Sequence, residues 1–267
     1  MIQTFDLLPG FHELMTLAEK QADAYQKNHP YPHIVLEELF SPDLLDQILG
    51  EFPSDKEWRR VQEDYQEKFS TVGENTWGPQ TKLFMHYLNS EPFLKFLEKL
   101  TGISGLIPDP YFYGGGFHQS LKGGFLKIHT DFNRHSLMKL DRRVNLLIYL
   151  NKDWPDEYGG HLELWDREVK KCGQKILPVF NRVVVFSTTD FSYHGHPKPL
   201  ACPEDRTRKS IALYYYTNGR PPEETKSQAR NTSFKLTPDE NFKTRLKSAI
   251  KLILPPLVVE AYKRFKA

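Results

Sequence analysis

From position 111 onward the chain breaks into short β-rich runs divided by turn-forming residues, and this rhythm limits the fold more than any other feature. The runs fall at 125–129, 144–150, 161–165, 182–186 and 210–217. Between them stand Asn151, Asp153, Pro155, Gly159, Gly160, Gly173, Asn181 and Gly195, and glycines gather at 114–116 and 123–124. Glycine and asparagine enter backbone conformations that other residues resist, and proline presets one, so each group punctuates the chain. Many short strands at this spacing predict a sandwich or barrel with helices packed outside it.

Residues before 111 read mainly as helices. Loose helical periodicity spans 11–26. Ser41 and Pro42 supply an N-cap and a first-turn proline ahead of Leu44, Leu45 and Ile48. Ser90 precedes Phe93, Leu94, Leu97 and Leu100, and Gly102 is placed to close that helix in the left-handed conformation. A short strand is expected over 33–36. The expected division is a mainly helical support at 1–110 integrated with the core, a β core at 111–220 and a helical extension at 221–267. In the extension, Thr237, Pro238 and Glu240 form a capping-box pattern before Phe242, Leu246, Ile250 and Ile253, with Lys243, Arg245, Lys247 and Lys251 around them. A helix packed on the core is the favoured reading; peripheral contact of a basic amphipathic face with an anionic membrane or a protein partner is the other.

Composition excludes little beyond disorder and membrane spans. Hydrophobic residues make up 39% of the chain, enough for a packed core, and the net charge of +2 gives no electrostatic reason to expect a nucleic acid. Two cysteines, Cys172 and Cys202, make no disulfide framework. No secretory signal pattern opens the chain, and no apolar stretch approaches the roughly 20 residues of a membrane span. A cytoplasmic, at most membrane-peripheral, protein is expected.

The chemistry concentrates at His129-Thr130-Asp131. Residues two apart on a strand point to one face, so an imidazole and a carboxylate converge there. Nitrogen plus hard oxygen is the donor set of the 2-His-1-carboxylate site of non-haem iron, which leaves one face of the metal open. The pair alone is a weak signal, and its context strengthens it: a third ligand is available in His194, with His196 two residues away as the rival. Arg208 opens the following strand, and its planar fork suits the far carboxylate of a dicarboxylate. Strand alternation puts Ser210, Ala212 and Tyr214 on the face of Arg208, and Asn145 and Leu147 on the face of Tyr149.

In order along 115–219, GGFLKIHTD (123–131), RVNLLIYLNKDW (143–154), GGHLELW (159–165), NRVVVF (181–186) and RKSIALYYY (208–216) resemble the prolyl 4-hydroxylase-like branch of the 2-oxoglutarate/Fe(II)-dependent dioxygenases. The resemblance implies an α+β fold with a mainly β core, a double-stranded β-helix (jelly-roll, cupin-like). It implies Fe(2+) on His129, Asp131 and His194, and 2-oxoglutarate held by Arg208 and the Tyr149 hydroxyl, with Leu162 lining the same pocket; Asn145 and Ala212, on the strand faces of Tyr149 and Arg208, are further candidates for co-substrate contact. It also implies O2 as co-substrate, with L-ascorbate as an optional reductant. The sequence departs from several prolyl hydroxylases at Gln119 and Leu126, where those carry tyrosines.

Other residues carry blander readings. His161 and Glu163 look like a solvated outer face, and His118, His135 and Arg142 like loop or rim residues. The runs 111–113 and 214–216 look like core. The function expected is hydroxylation of an unactivated C–H bond coupled to decarboxylation of 2-oxoglutarate to succinate and CO2. The substrate is left open among a small molecule, a prolyl or peptide group and a saccharide. A non-catalytic jelly-roll module binding a metal, glycan or peptide, and a zinc hydrolase, are the competing classes.

Overall fold

Alternating side chains sort the β-rich half of the chain into two layers that face each other. The computed structural model of the protein describes residues 7–53, 58–63, 65–71, 73–225 and 231–242. One layer runs β1 (His33–Glu37), β9 (Arg182–Ser187), β6 (Asp141–Tyr149), β11 (Arg208–Thr217) and β4 (Gly116–Ser120). The other runs β5 (Phe125–Thr130), β10 (Tyr193–His196), β7 (Leu162–Trp165) and β8 (Cys172–Ile176). Between them β3 (Gln66–Ser70) pairs with β4 through Phe69 and Ser70 and with β5 through Gln66 and Glu67, so it closes one side. Its hairpin partner is β2 (Arg59–Glu63), and a two-residue strand, β12 (Ser233–Phe234), adds to β5. Every pairing is antiparallel. The result is the expected double-stranded β-helix.

Register follows from burial. On β11, Ile211, Leu213 and Tyr215 enter the main apolar core, while Arg208, Ser210, Ala212 and Tyr214 face the space between the layers. On β6, Val144, Leu146 and Ile148 take the core side, leaving Asn145, Leu147 and Tyr149 opposite. Burying each aliphatic side chain is worth about 1.5–3 kcal/mol, so a one-residue slip would exchange that row for Arg208 and its neighbours. The alternation therefore aims the polar row inward.

Four helices cover the outer face of the first layer: α1 (Phe11–Lys27), α2 (Pro42–Gly50), α3 (Pro79–Leu88) and α4 (Glu91–Thr101). Leu14, Ile48, Phe84 and Leu97 belong to the same buried cluster as Leu146, Val185 and Leu213. Gly102 closes α4 at φ 72°, ψ 8° as expected. Ser41 and Ser90 occupy N-cap positions without capping through their side chains; the Ser90 hydroxyl instead donates to the last-turn carbonyl of Tyr87 at 2.6 Å. No described helix is long and apolar enough to cross a membrane.

The capping box at 237–240 forms: Thr237 N donates to Glu240 Oε2 at 3.0 Å, and Glu240 N to Thr237 Oγ1 at 3.4 Å. Helical residues follow to 242, and the amphipathic face built on Leu246, Ile250 and Ile253 with Lys243, Arg245, Lys247 and Lys251 lies outside the described residues.

Candidate metal centre

His129 on β5 and His194 on β10 are antiparallel partners, with ring centroids 4.5 Å apart. Asp131, just past the end of β5, turns to the same side. Its Oδ1 lies 3.7 Å from His129 Nε2 and its Oδ2 3.4 Å from His194 Nε2. One ligand atom from each of the three lies within 4.8 Å of the others, the one such group found among the described residues.

Both rings are locked from behind. His129 Nδ1 donates to the Lys127 carbonyl at 2.8 Å and His194 Nδ1 to the Ser192 carbonyl at 3.0 Å. A carbonyl only accepts, so Nδ1 carries a hydrogen in each ring and each Nε2 faces Asp131. Burial pushes the His194 imidazole down to about 4, against the opposing pull of Asp131, so it is neutral near pH 7. Burial would raise the Asp131 carboxyl, yet the Arg142 guanidinium and the two histidines hold it well below the usual carboxylate range.

Arg142 corrects the expectation of a rim residue. It is 1% exposed, its Nη2 donates to Asp131 Oδ2 at 2.9 Å, and its Nε donates to Asn145 Oδ1 at 2.9 Å. Asn145 Nδ2 completes the triangle with a 2.8 Å bond to Asp131 Oδ2. The Arg142 guanidinium carbon sits 3.4 Å from the Tyr214 ring centroid and 4.5 Å from that of Phe132. A buried carboxylate needs a counter-charge, and these two rings replace the water that an exposed arginine would keep.

Across the cavity, Arg208 is buried, with Nε donating to the Gly160 carbonyl at 2.7 Å and Nη2 to the Tyr149 hydroxyl at 3.2 Å. No carboxylate pairs with it among the described residues. Arg206, two residues before Arg208, donates to the carbonyls of Lys152 and Asp153 and does not line the cavity. Tyr149, Leu162, Asn145, Leu147, Ala212, Gln119 and Leu126 all line the cavity, as do His118 and His196. His196 is buried beside the ligand set with no hydrogen-bond partner for its Nδ1.

Three further expectations change. His135 is fully buried, 3.4 Å from Asp109, rather than on a loop rim; its Nδ1 accepts from Leu137 N and Met138 N and so pins the loop after Asp131. Glu163 is buried rather than solvated, because the Trp165 indole at 2.9 Å and Lys175 at 3.5 Å partner it. Of 111–113 only Phe112 is core; Tyr111 and Tyr113 are exposed, since the loop folds over Asp109, whose carboxylate accepts both of their amides. Tyr214, unlike Tyr215 and Tyr216, faces the cavity. Sequence reasoning missed Lys68, Ser120 and Phe186 as lining residues. Phe186 could have been found from the β9 alternation, whereas nothing local marks Lys68.

The donor set fits a divalent transition metal. Two imidazole nitrogens and one carboxylate converge, and no fourth protein ligand joins them among the described residues. The protein thus has a two-layered β-helix with a three-ligand site open toward a buried cation.

Comparison with known proteins agrees with this class. Residues 115–216 match the family model of the 2OG-Fe(II) oxygenase superfamily. A prolyl 3-hydroxylase, OGFOD1, of Mus musculus is 30% identical over 79 residues, which is 28% of this chain and 14% of the relative. Among solved structures, a Trichoplax adhaerens prolyl hydroxylase, in complex with a fragment of the hypoxia inducible factor oxygen degradation domain, superposes with TM-score 0.58 at 17% identity, over 77% of this chain and 91% of that one. A Pseudomonas putida prolyl-4-hydroxylase gives 0.54 at 16% identity, over 77% and 100% of the two chains. HygX of Streptomyces hygroscopicus, with nickel, 2-oxoglutarate and hygromycin B bound, gives 0.51 at 11% identity, over 80% and 97%. At these identities the structures establish the shared fold.

Proposed function

We propose that this chain is a 2-oxoglutarate-dependent dioxygenase that hydroxylates an unactivated C–H bond. In the balanced reaction, substrate C–H, O2 and 2-oxoglutarate yield substrate C–OH, succinate and CO2. The observation that carries this reading is Arg208: a buried guanidinium without a carboxylate partner among the described residues, set across one cavity from three metal-ligating side chains. A buried cation is costly unless it meets an anion, and a dicarboxylate that reaches from the metal to Arg208 supplies it.

Each residue then has a task. His129, Asp131 and His194 hold Fe(2+) on one face. Bound iron supplies the redox chemistry that couples O2 to decarboxylation and C–H oxidation. Tyr149 and the Gly160 carbonyl orient Arg208, and Leu162, Leu147 and Ala212 keep the middle of the cavity apolar. Arg142 and Asn145 fix the carboxylate.

The mouse relative named for prolyl 3-hydroxylation and the neighbour holding a peptide fragment support a prolyl or peptide substrate; the neighbour holding hygromycin B supports a small molecule. A jelly-roll binding module or a zinc hydrolase has no use for Arg208. Purified protein supplied with Fe(2+), ascorbate and 2-oxoglutarate is expected to form succinate even without substrate, and Asp131→Ala to form none. Wild-type protein that binds iron yet yields no succinate would sink the oxygenase assignment.

A further inference from the structure

One cation in the same cavity has no task in that chemistry. Lys68 is half-buried on β3, the strand that bridges the two layers, and its side chain lines the space shared by Asp131, His118, His196, Arg142 and Arg208. Among the described residues it makes neither a hydrogen bond nor an ion pair. Its strand neighbours do find partners: Glu67 pairs with Arg60 at 2.8 Å.

Charge decides what belongs there. The cavity lining holds three fixed cations, Lys68, Arg142 and Arg208, and a single carboxylate, Asp131. Arg142 is matched by Asp131. A ferrous ion and the 2-oxoglutarate dianion cancel each other, so the loaded cavity keeps an excess of two positive charges. The dicarboxylate has one end at the metal and the other at Arg208, which lies on β11 beside Tyr149 of β6. Lys68 enters from β3, the strand on which neither of those anchors lies. Burial, with Arg142 and Arg208 adding and Asp131 and Glu63 opposing, pulls the Lys68 amine below the usual lysine range, so the ammonium is held at a cost that an anion in direct contact relieves.

We infer that Lys68 receives an anionic group, a carboxylate or a phosphate, carried by the substrate of this site. The inference rests on the oxygenase reading above, because that reading assigns Arg208 to the co-substrate. A compact ammonium on a flexible stem suits either anion as a point charge. The substrate is therefore an acid, or a compound bearing a free carboxylate or phosphate, presented within reach of the metal.

The test measures binding of two probes, inorganic phosphate and acetate, to the full chain loaded anaerobically with Fe(2+) and saturating 2-oxoglutarate. Wild type, Lys68→Met and Lys68→Arg are compared. One or both anions bind wild type; Lys68→Met weakens that binding by about tenfold or more, and Lys68→Arg stays within about threefold, as loss or retention of one charge-assisted hydrogen bond requires. The tighter probe names the chemical class. Affinity for 2-oxoglutarate is measured alongside, and Lys68→Met shifts it by less than about threefold, as for a charge outside direct contact. Equal anion affinity in wild type and Lys68→Met, no anion binding by wild type, or a tenfold loss of 2-oxoglutarate affinity in Lys68→Met each overturns the inference. The last outcome would place the amine on the co-substrate. Failure of the oxygenase reading shows separately, as absence of succinate from wild type. Phosphate binding to the iron-free chain then still reports whether Lys68 holds an anion.

Discussion

At the scale of single residues, the site depends on groups that never reach the metal. Asp131 Oδ2 accepts from both Arg142 and Asn145, and those two are joined to each other. Asn145→Ala removes one donor from the carboxylate and leaves Arg142 Nε without its partner. Loss of such an orienting contact typically costs about 10- to 100-fold in metal affinity, and that range is expected from iron titrations of Asn145→Ala. Arg208→Lys keeps the charge but discards the fork and the contact to Tyr149. We expect 2-oxoglutarate binding to weaken by about 10- to 100-fold with iron affinity unchanged, the equivalent of one or two charge-assisted bonds. Unchanged 2-oxoglutarate affinity would show that Arg208 is not the anchor.

At the scale of elements, the metal site is a matter of how closely β5 and β10 approach. Gly195 stands between the histidines of β10, and a Cβ there would lie 2.6 Å from the Leu126 carbonyl oxygen and 2.7 Å from that of Lys127. Backbone cannot yield as a side chain does. Gly195→Ala is therefore expected to prise the strands apart, costing about 1–3 kcal/mol in urea unfolding and weakening iron binding along with it. Gly195→Ala with wild-type iron affinity would show that the histidine pair tolerates a wider gap.

The elements also show what could be read in advance. The strands carrying Tyr149, Leu162, Arg208 and His129 announce themselves by β-branched or aromatic alternation between turns. β10 is only four residues long and rich in glycine and histidine, so the family resemblance rather than strand alternation marks His194. α3 was not legible: its N-cap is Gly78, and its first amides, Gln80 N and Thr81 N, are satisfied by Glu51, far back in the chain. The β2–β3 hairpin that carries Lys68 has one apolar residue in each strand, Val61 and Phe69, and so no apolar alternation to betray a buried face. Arg142 looked like a rim residue because charge near a strand start usually faces water; only the fold supplies Asp131, Phe132 and Tyr214 around it.

At the scale of the whole molecule, four histidines held below their ordinary pKa set the response to acid. Desolvation lowers His33, takes His194 down to about 4 and His118 to about 3, and holds His196 well below its ordinary value. The unfolded chain takes up these protons near pH 6.5 and the folded chain does not, so stability is full above that value and drains away as pH falls toward the folded values. By pH 5 each strongly lowered histidine costs on the order of 1–2 kcal/mol. Urea midpoints of the iron-free chain are expected to fall steadily between pH 7 and pH 5; a flat profile would contradict the burial of these rings.

The strand that bears His129 is clasped along its second border by two distant stretches of chain. Lys127 N donates to the Tyr65 carbonyl at 2.9 Å, Lys235 N donates to the Ile128 carbonyl at 2.8 Å, and the Tyr65 and Phe234 rings stack at 4.9 Å. Phe234 lies beyond the stretch that matches the oxygenase family, yet its ring also rests 5.4 Å from that of His129. A chain ended after residue 225 would bare the 128–130 part of this border while keeping both β layers. Uncovered strand borders recruit other copies, so the shortened protein is expected to self-associate in size-exclusion chromatography.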